Sequence, residues 1–155
     1  MLKQLKGRLK GKVVIVGIGN ILRGDDGAGP ELIKRCKVQG VRCKLMDVGE
    51  VPENYLEKII EYNPDTILLV DAVDLGGQPG SIKIINQDEL GEKSFSTHNA
   101  SIKLTMKYLR GETKAGVFLL GVQPRNLKLG SGLSKPVKQA LNRIEECLIR
   151  CTNSA

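Results

Sequence analysis

The chain has very few aromatic side chains, a single histidine and no long apolar run. Aromatics make up 3% of its 155 residues and tryptophan is absent, which predicts a core of aliphatic side chains. No apolar run approaches the roughly 20 residues that cross a bilayer, and the basic N-terminus lacks an apolar segment of signal-peptide length. These absences favour a cytoplasmic protein with one domain, since a chain of this length is sufficient for one core.

Several common metal-binding and catalytic patterns are also missing. The pairs Cys36/Cys43 and Cys147/Cys151 do not have the Cys-x-x-Cys spacing of a zinc site, so we expect buried reduced thiols. A dinucleotide-binding fingerprint would need a third glycine where Leu22 stands, and the neighbouring carboxylates would repel a pyrophosphate. The G-x-S-x-G elbow and the H-E-x-x-H zinc motif do not occur either. The enzyme classes that depend on these patterns are therefore disfavoured.

The net charge of +7 is concentrated at the N-terminus. Residues 1–12 hold five of the 24 basic side chains and no acid, which leaves 19 bases against 17 acids in the rest of the chain. Because no basic patch is interleaved with aromatics, we expect no nucleic-acid binding. We expect residues 1–11 to form a solvated or weakly docked basic arm that the fold does not require. The alternative is contact with a membrane surface or an acidic partner.

Apolar runs alternate with helical patterns along the chain, which predicts an α/β fold. The predicted strands cover residues 12–17, 42–47, 66–72, 81–86 and 117–122. The predicted helices cover residues 30–37, 52–62, 101–109 and 135–151. This order predicts a single three-layer α/β/α domain over residues 12–151, with a tail at 152–155 and a twisted, mostly parallel sheet of five or six strands. Partial alternation indicates that residues 81–86 form an edge or hairpin strand.

The loop after the first predicted strand holds two adjacent carboxylates, Asp25 and Asp26, in a glycine-rich segment. Two charged neighbours in a tight loop are costly unless they face water, a cation or a ligand. Asp71 and Asp74 follow the third strand, and His98 stands in a polar segment before a helix. If the strand order is 2-1-3, the acids converge beyond the carboxyl ends of the strands. Such a set suits a divalent transition metal, although simple turn or structural roles for these residues stay open.

These residues belong to several sequence blocks that together resemble the hydrogenase maturation endopeptidases, especially the branch that processes the large subunit of hydrogenase 3. The resemblance extends from about residue 13 to residue 150. The blocks are VGIGNILRGDDGAGP at 16–30, LVDAVD at 69–74, PGSI at 79–82, THN at 97–99 and LGVQP at 120–124. The resemblance implies a twisted, largely parallel sheet between helices.

The resemblance also implies a function and a set of site residues. Members of the family remove a short C-terminal peptide from the precursor of the [NiFe]-hydrogenase large subunit after nickel has been inserted. The metal-contacting and catalytic positions of the family would fall on Asp26, Asp71 and His98. Motif positions with no settled role fall on Asn20, Asp25, Asp74 and Gln123. Nickel would be supplied mainly by the substrate, so the enzyme should be largely metal-free when purified.

The residues leave the chemistry open. A nickel ion held by substrate cysteines could polarise the scissile carbonyl or activate water. Alternatively, an acid such as Asp25 or Asp74 could act as the general base of an aspartic-type-like peptidase. Two other functions use the same features: a non-catalytic module that checks the precursor for nickel, and a small-molecule hydrolase on a related fold. We expect a monomer.

Overall fold

The computed structural model describes residues 2–90 and 99–153. The helices are α1 (Leu2–Arg8), α2 (Ala28–Val38), α3 (Leu56–Glu61), α4 (Asn99–Glu112) and α5 (Lys135–Asn153). The strands are β1 (Val13–Gly17), β2 (Lys44–Asp47), β3 (Thr66–Ala72), β4 (Ile82–Ile85) and β5 (Gly116–Val122). Within the described ranges, none of the helices is long and apolar enough to cross a membrane.

The described strands form one five-stranded sheet in the order β2-β1-β3-β5-β4. Strands β2, β1, β3 and β5 are parallel, and β4 pairs antiparallel with β5 at the edge. The predicted α/β class is therefore confirmed, the sheet has the 2-1-3 order on which the convergence of the acids depended, and residues 82–85 form an edge strand, one of the two forms expected for 81–86. We call the side of the sheet where the four parallel strands end the carboxyl edge.

The sheet is covered by helices on both faces, because its strands alternate side chains between two apolar clusters. Every residue of β1 and β3 is buried. Ile15 and Leu68 belong to the cluster shared with α1, α2 and α5, whereas Val16 and Leu69 belong to the cluster shared with α3 and α4. Helix α5 carries an apolar stripe with helical spacing that packs in the first cluster, where its residues Val137, Leu141, Ile144 and Leu148 are fully buried. This arrangement is the predicted α/β/α layering.

Several predicted boundaries differ from the structure, and two of these differences are larger than a shift at one end of an element. The helix predicted over 52–62 is divided into a 3₁₀ turn at Pro52–Tyr55 and helix α3. Helix α5 continues through Asn153, so the tail predicted at 152–155 begins inside it. The Thr152 hydroxyl donates a hydrogen bond to the Leu148 carbonyl at 2.9 Å, which keeps this last turn helical.

The N-terminal arm is docked rather than solvated, and whether the fold requires it stays a prediction. Leu5 on α1 is fully buried in the cluster formed with α2 and α5, and the half-buried Leu2 and Leu9 pack against the same cluster. The Arg8 guanidinium lies 5.4 Å from the centre of the Phe118 ring. The arm is docked because its three leucines share one helical face, which leaves its basic side chains on the other faces.

We therefore expect Leu5→Ala to lower the free energy of unfolding by about 2–5 kcal/mol, because it leaves a cavity between α1 and α5. Lys3→Ala, on an exposed position of the same helix, should change it by less than about 0.5 kcal/mol. Urea denaturation of both variants measures the difference. Equal stability of the two variants would mean that residues 1–11 are dispensable for the fold after all.

The four cysteines are free thiols that contribute to packing. Burial raises the pKa of Cys36 to about 12, and it raises the pKa of Cys43 and Cys147 to about 11. These thiols therefore stay protonated at neutral pH and are poor nucleophiles and metal ligands. The expectation of buried thiols therefore holds for Cys36, whereas Cys43, Cys147 and Cys151 are only partly buried.

Candidate active site

Glycines allow the loop after β1 to fold tightly over the carboxyl edge. A Cβ atom added to Gly29 would lie 2.5 Å from the Ile18 carbonyl oxygen and 2.6 Å from that of Val70. One added to Gly19, whose φ is +145°, would lie 1.9 Å from the Asp26 carbonyl oxygen. Only glycine fits at these two positions, so the first turn of α2 packs directly against the ends of β1 and β3.

Asp26 lies in a 3₁₀ turn, Gly24–Gly27, that immediately precedes α2 and contacts β3. Its side chain is 3% exposed, and its Oδ2 accepts a hydrogen bond from the Asn20 backbone N–H at 2.9 Å. The positive end of the α2 dipole favours a negative charge at this place. The local structure thus holds a buried carboxyl group beside the carboxyl edge.

Asp71 lies at the end of the neighbouring strand β3 and is fully buried. Its Oδ1 accepts a hydrogen bond from the Ala72 backbone N–H at 2.8 Å. The Ile18 N–H donates to the Val70 carbonyl at 2.9 Å, which ties the start of the β1–α2 loop to the residue before Asp71. The structure therefore brings Asp26 and Asp71 to the same edge of adjacent strands, as the strand order predicted.

Asp25 differs from its neighbour because it faces the loop between β5 and α5. Its Oδ2 accepts hydrogen bonds from the Arg125 N–H at 2.8 Å, the Asn126 N–H at 3.4 Å and the Ser134 hydroxyl at 2.8 Å. Its Oδ1 accepts one from the Ser134 N–H at 2.7 Å. Both oxygens of this fully buried carboxylate are thus engaged. Asp25 connects two loops that are about a hundred residues apart in sequence.

Gln123 and Asp74 also form a supporting contact. The Gln123 amide oxygen accepts hydrogen bonds from the Leu75 and Gly77 N–H groups, and its Nε2 donates to Asp74 Oδ1 at 3.3 Å. Gln123 is buried, whereas Asp74 is exposed. This amide therefore positions the loop that leaves β3 next to Asp71.

Asn20 connects Asp26 to a further acid that sequence reasoning missed. Its Oδ1 accepts from the Leu22 N–H at 2.9 Å, and its Nδ2 donates to Glu50 Oε2 at 3.4 Å. Glu50 follows β2, which neighbours β1 in the sheet, so an acid after the second strand was the available signal. Ser134 was missed as well, although a serine directly before a helix is a common capping residue.

Two cavities flank the carboxyl edge. One has a volume of about 280 Å³ and is lined by Gly19, Asn20, Ile21, Pro30, Asp47, Gly49 and Glu50. The other has a volume of about 440 Å³ and is lined by Ala72, Asp74, Gln123, Pro124, Arg125, Asn126 and Leu127. Three of the four predicted supporting residues, Asn20, Asp74 and Gln123, thus line cavities beside the edge that carries Asp26 and Asp71, whereas Asp25 lines neither cavity.

The third member of the predicted metal set, His98, lies outside the described residues 2–90 and 99–153. Within those two ranges, no group of three or more His, Cys, Asp or Glu side chains is arranged so that it could hold a metal ion. Asp26 and Asp71 contribute two carboxylates of the predicted set, and a carboxylate pair with an imidazole has donors suited to a divalent transition metal. The ligand set of Asp26, Asp71 and His98 stays a prediction.

Comparison with known proteins gives consistent matches over almost the whole chain. A sequence profile described as "HycI: Hydrogenase maturation protease" matches residues 29–151. The "Hydrogenase 3 maturation protease" of Escherichia coli (strain K12) is 34% identical over 137 residues, which cover 87% of each chain.

Solved structures match equally well. The crystal structure of a [NiFe] hydrogenase maturation protease, HycI from Thermococcus kodakarensis KOD1, superposes with a TM-score of 0.87 at 30% identity. It covers 97% of this chain and 99% of the other. The solution structure of the endopeptidase HycI from Escherichia coli gives a TM-score of 0.81 at 33% identity, with 90% of each chain covered. Fold, motifs and overall similarity agree, and the chain belongs to the hydrogenase maturation protease family.

Proposed function

We propose that this protein is an endopeptidase that removes a short C-terminal peptide from the nickel-loaded precursor of a [NiFe]-hydrogenase large subunit. The observation that carries the proposal is the pair of buried carboxylates, Asp26 and Asp71, at the carboxyl edge of adjacent strands in a member of this family. Burying two acids costs free energy that hydrogen bonds from backbone N–H groups offset in part, and titratable side chains buried at a cleft are candidates for a functional site. A cleft at this edge is also where open α/β sheets bind their ligands.

Within this proposal, Asp26, Asp71 and His98 contact a nickel ion that the cysteines of the precursor already hold. Two carboxylates and one neutral imidazole without a thiolate bind free nickel weakly, because soft donors and a fourth strong ligand are missing. Nickel on the precursor polarises the scissile carbonyl or activates a water molecule. The enzyme thereby tests whether nickel is present before it cleaves.

The general base of the aspartic-type alternative is best sought among the acids other than Asp25. Within the part of the chain that the structure describes, the hydrogen bonds to the Asp25 carboxylate come from the β5–α5 loop, which supports a structural role. Asp74 is exposed beside the 440 Å³ cavity and is oriented by Gln123. Asp74 therefore has the access to water that a general base requires.

We further propose a cytoplasmic monomer. Docking of α1 leaves only its basic face for contact with an anionic membrane surface or an acidic partner. Lys3 and Lys6 are exposed on that face, and no arrangement of aromatics on it favours nucleic acid. Any such contact would be electrostatic and sensitive to salt, because the leucines of α1 pack against the core rather than facing outward.

The purified protein should contain well below one nickel ion per chain, measured by elemental mass spectrometry. Mixed with purified precursor, it should shorten the nickel-loaded form and leave the nickel-free form intact, as intact mass of the large subunit would report. Binding of the loaded precursor without cleavage would favour the nickel-checking module. Hydrolysis of small substrates without cleavage of the precursor would favour a small-molecule hydrolase. Efficient cleavage of nickel-free precursor in the presence of a chelator would overturn the nickel-dependent mechanism.

A further inference from the structure

Three large apolar residues are exposed on the two loops that border the candidate site, which pair with each other through their backbones. Ile21 and Leu22 follow β1 and are 67% and 62% exposed, and Leu129 follows β5 and is 77% exposed. They are three of the seven large hydrophobic side chains exposed in the part of the chain that the structure describes. We call these three residues the apolar rim. Clustered exposed side chains of this kind mark interaction sites.

Backbone hydrogen bonds hold the apolar rim together. The Gly130 N–H donates to the Leu22 carbonyl at 2.8 Å, and Arg23 and Leu129 pair as an isolated antiparallel bridge. The Asp25 N–H donates to the Asn126 carbonyl at 3.0 Å and so also joins the two loops. The two loops therefore present their apolar side chains in a fixed arrangement. A surface organised before binding loses less conformational entropy when a partner docks.

The apolar rim is continuous with the candidate site. Ile21 lines the 280 Å³ cavity together with Asn20 and Glu50. The Asn20 N–H in turn donates to Asp26, which is one of the two buried carboxylates. A polypeptide bound at the carboxyl edge and in this cavity would therefore contact Ile21, which adjoins Leu22 in sequence.

The charges around the apolar rim indicate what kind of surface it fits. Arg23, Arg125 and Lys128 are exposed on the same two loops. The two acids of these loops, Asp25 and Asp26, are buried and engaged. The solvent-facing part of these two loops is therefore apolar and basic, and the exposed acids Asp47 and Glu50 lie on the side of the neighbouring cavity. A complementary partner has apolar side chains flanked by acidic ones.

We propose that the apolar rim is a docking surface for an apolar, acid-flanked segment of the precursor protein, which it holds while the carboxyl edge acts on the C-terminal peptide. This proposal rests on the proposed function for the identity of the partner. Docking at such a rim contributes equally to the substrate complex and the transition state. It should therefore set the precursor concentration needed for half-maximal rate and leave the maximal rate unchanged.

The test compares the double variant Leu22→Ser/Leu129→Ser with the matched control Val38→Ser, which alters an exposed apolar residue at the end of α2. Binding to nickel-free precursor is measured by biolayer interferometry, and cleavage of nickel-loaded precursor is measured as KM and kcat. The double variant should weaken binding and raise KM by about tenfold or more, with kcat unchanged. The control should match the unaltered protein. Because the changed residues are exposed, thermal unfolding midpoints should agree, and Leu129→Gln alone carries the test if the double variant unfolds.

The outcomes separate the two proposals. Unchanged binding and KM in the double variant would overturn the docking surface and leave the endopeptidase intact. If the unaltered protein binds precursor through the apolar rim but never cleaves it, the endopeptidase activity fails and the docking surface stands. If the unaltered protein does not bind precursor at all, the docking surface is overturned as well.

Discussion

Asp26→Asn and Asp71→Asn are each expected to lower the rate of precursor cleavage by at least about a hundredfold. Both changes keep the shape of the side chain and remove the negative charge that would face the nickel ion or the reacting water. The measurement is the initial rate of shortening of nickel-loaded precursor, followed by intact mass. Each variant should retain the native circular dichroism spectrum, since the neutral amide still offers an oxygen to the Asn20 and Ala72 N–H groups.

The matched control for this pair is Asp88→Asn. Asp88 is an exposed carboxylate in the short turn after β4. Because β4 runs antiparallel to the other strands, this turn lies at the end of the sheet where the parallel strands begin, away from the carboxyl edge. The control should cleave at the unaltered rate. Normal cleavage by both Asp26→Asn and Asp71→Asn would remove these two residues from the mechanism and leave Asp74 and Glu50 as the acids to examine.

Asp25→Asn is expected to act on stability rather than on chemistry, lowering the free energy of unfolding by roughly 3–5 kcal/mol. Both oxygens of Asp25 accept hydrogen bonds from N–H and O–H groups. The NH2 group of an asparagine would replace one of these oxygens and would face donors in place of an acceptor. Urea denaturation measures the loss. Ser134→Ala is the matched control, because it removes a single hydroxyl donor and should cost only about 1 kcal/mol.

The Asp25 variant also distinguishes two roles for this acid. If Asp25 were the general base, Asp25→Asn would fold with nearly unaltered stability and fail to cleave. A structural role predicts the opposite result: Asp25→Asn has a lower free energy of unfolding, and the fraction that folds still cleaves the precursor at a measurable rate. A stable but inactive Asp25→Asn protein would therefore contradict the structural role assigned to its hydrogen bonds.

Much of the fold was predictable because its signals are local. The continuous apolar runs of β1, β3 and β5 indicated strands buried on both faces, and the stripe on α5 indicated a helix packed on a sheet. The position of Asp26 and Asp71 beyond the ends of the first and third strands followed from one assumption, the 2-1-3 order. The edge position of β4 followed from its partial alternation.

The errors occurred where long-range contacts decide the outcome. Three leucines with helical spacing in a basic segment suit either a solvated arm or a docked helix. Only the presence of α5 beside α1 determines that Leu5 is buried. Glu50 lies beside the site because β2 is the neighbour of β1 in the sheet and because the Asn20 side chain donates a hydrogen bond to Glu50.

By itself the sequence determined the layered α/β fold, the family and the edge of the sheet at which chemistry is expected. Composition, periodicity and motif order carry that information within short stretches of chain. Tertiary structure alone decided how two adjacent aspartates differ. Asp25 and Asp26 share the same local sequence. Asp25 nevertheless accepts hydrogen bonds from the β5–α5 loop, whereas Asp26 accepts one from the Asn20 N–H in the loop after β1. The role of a buried charge depends on the partners that surround it, and those partners are brought together only when the chain folds.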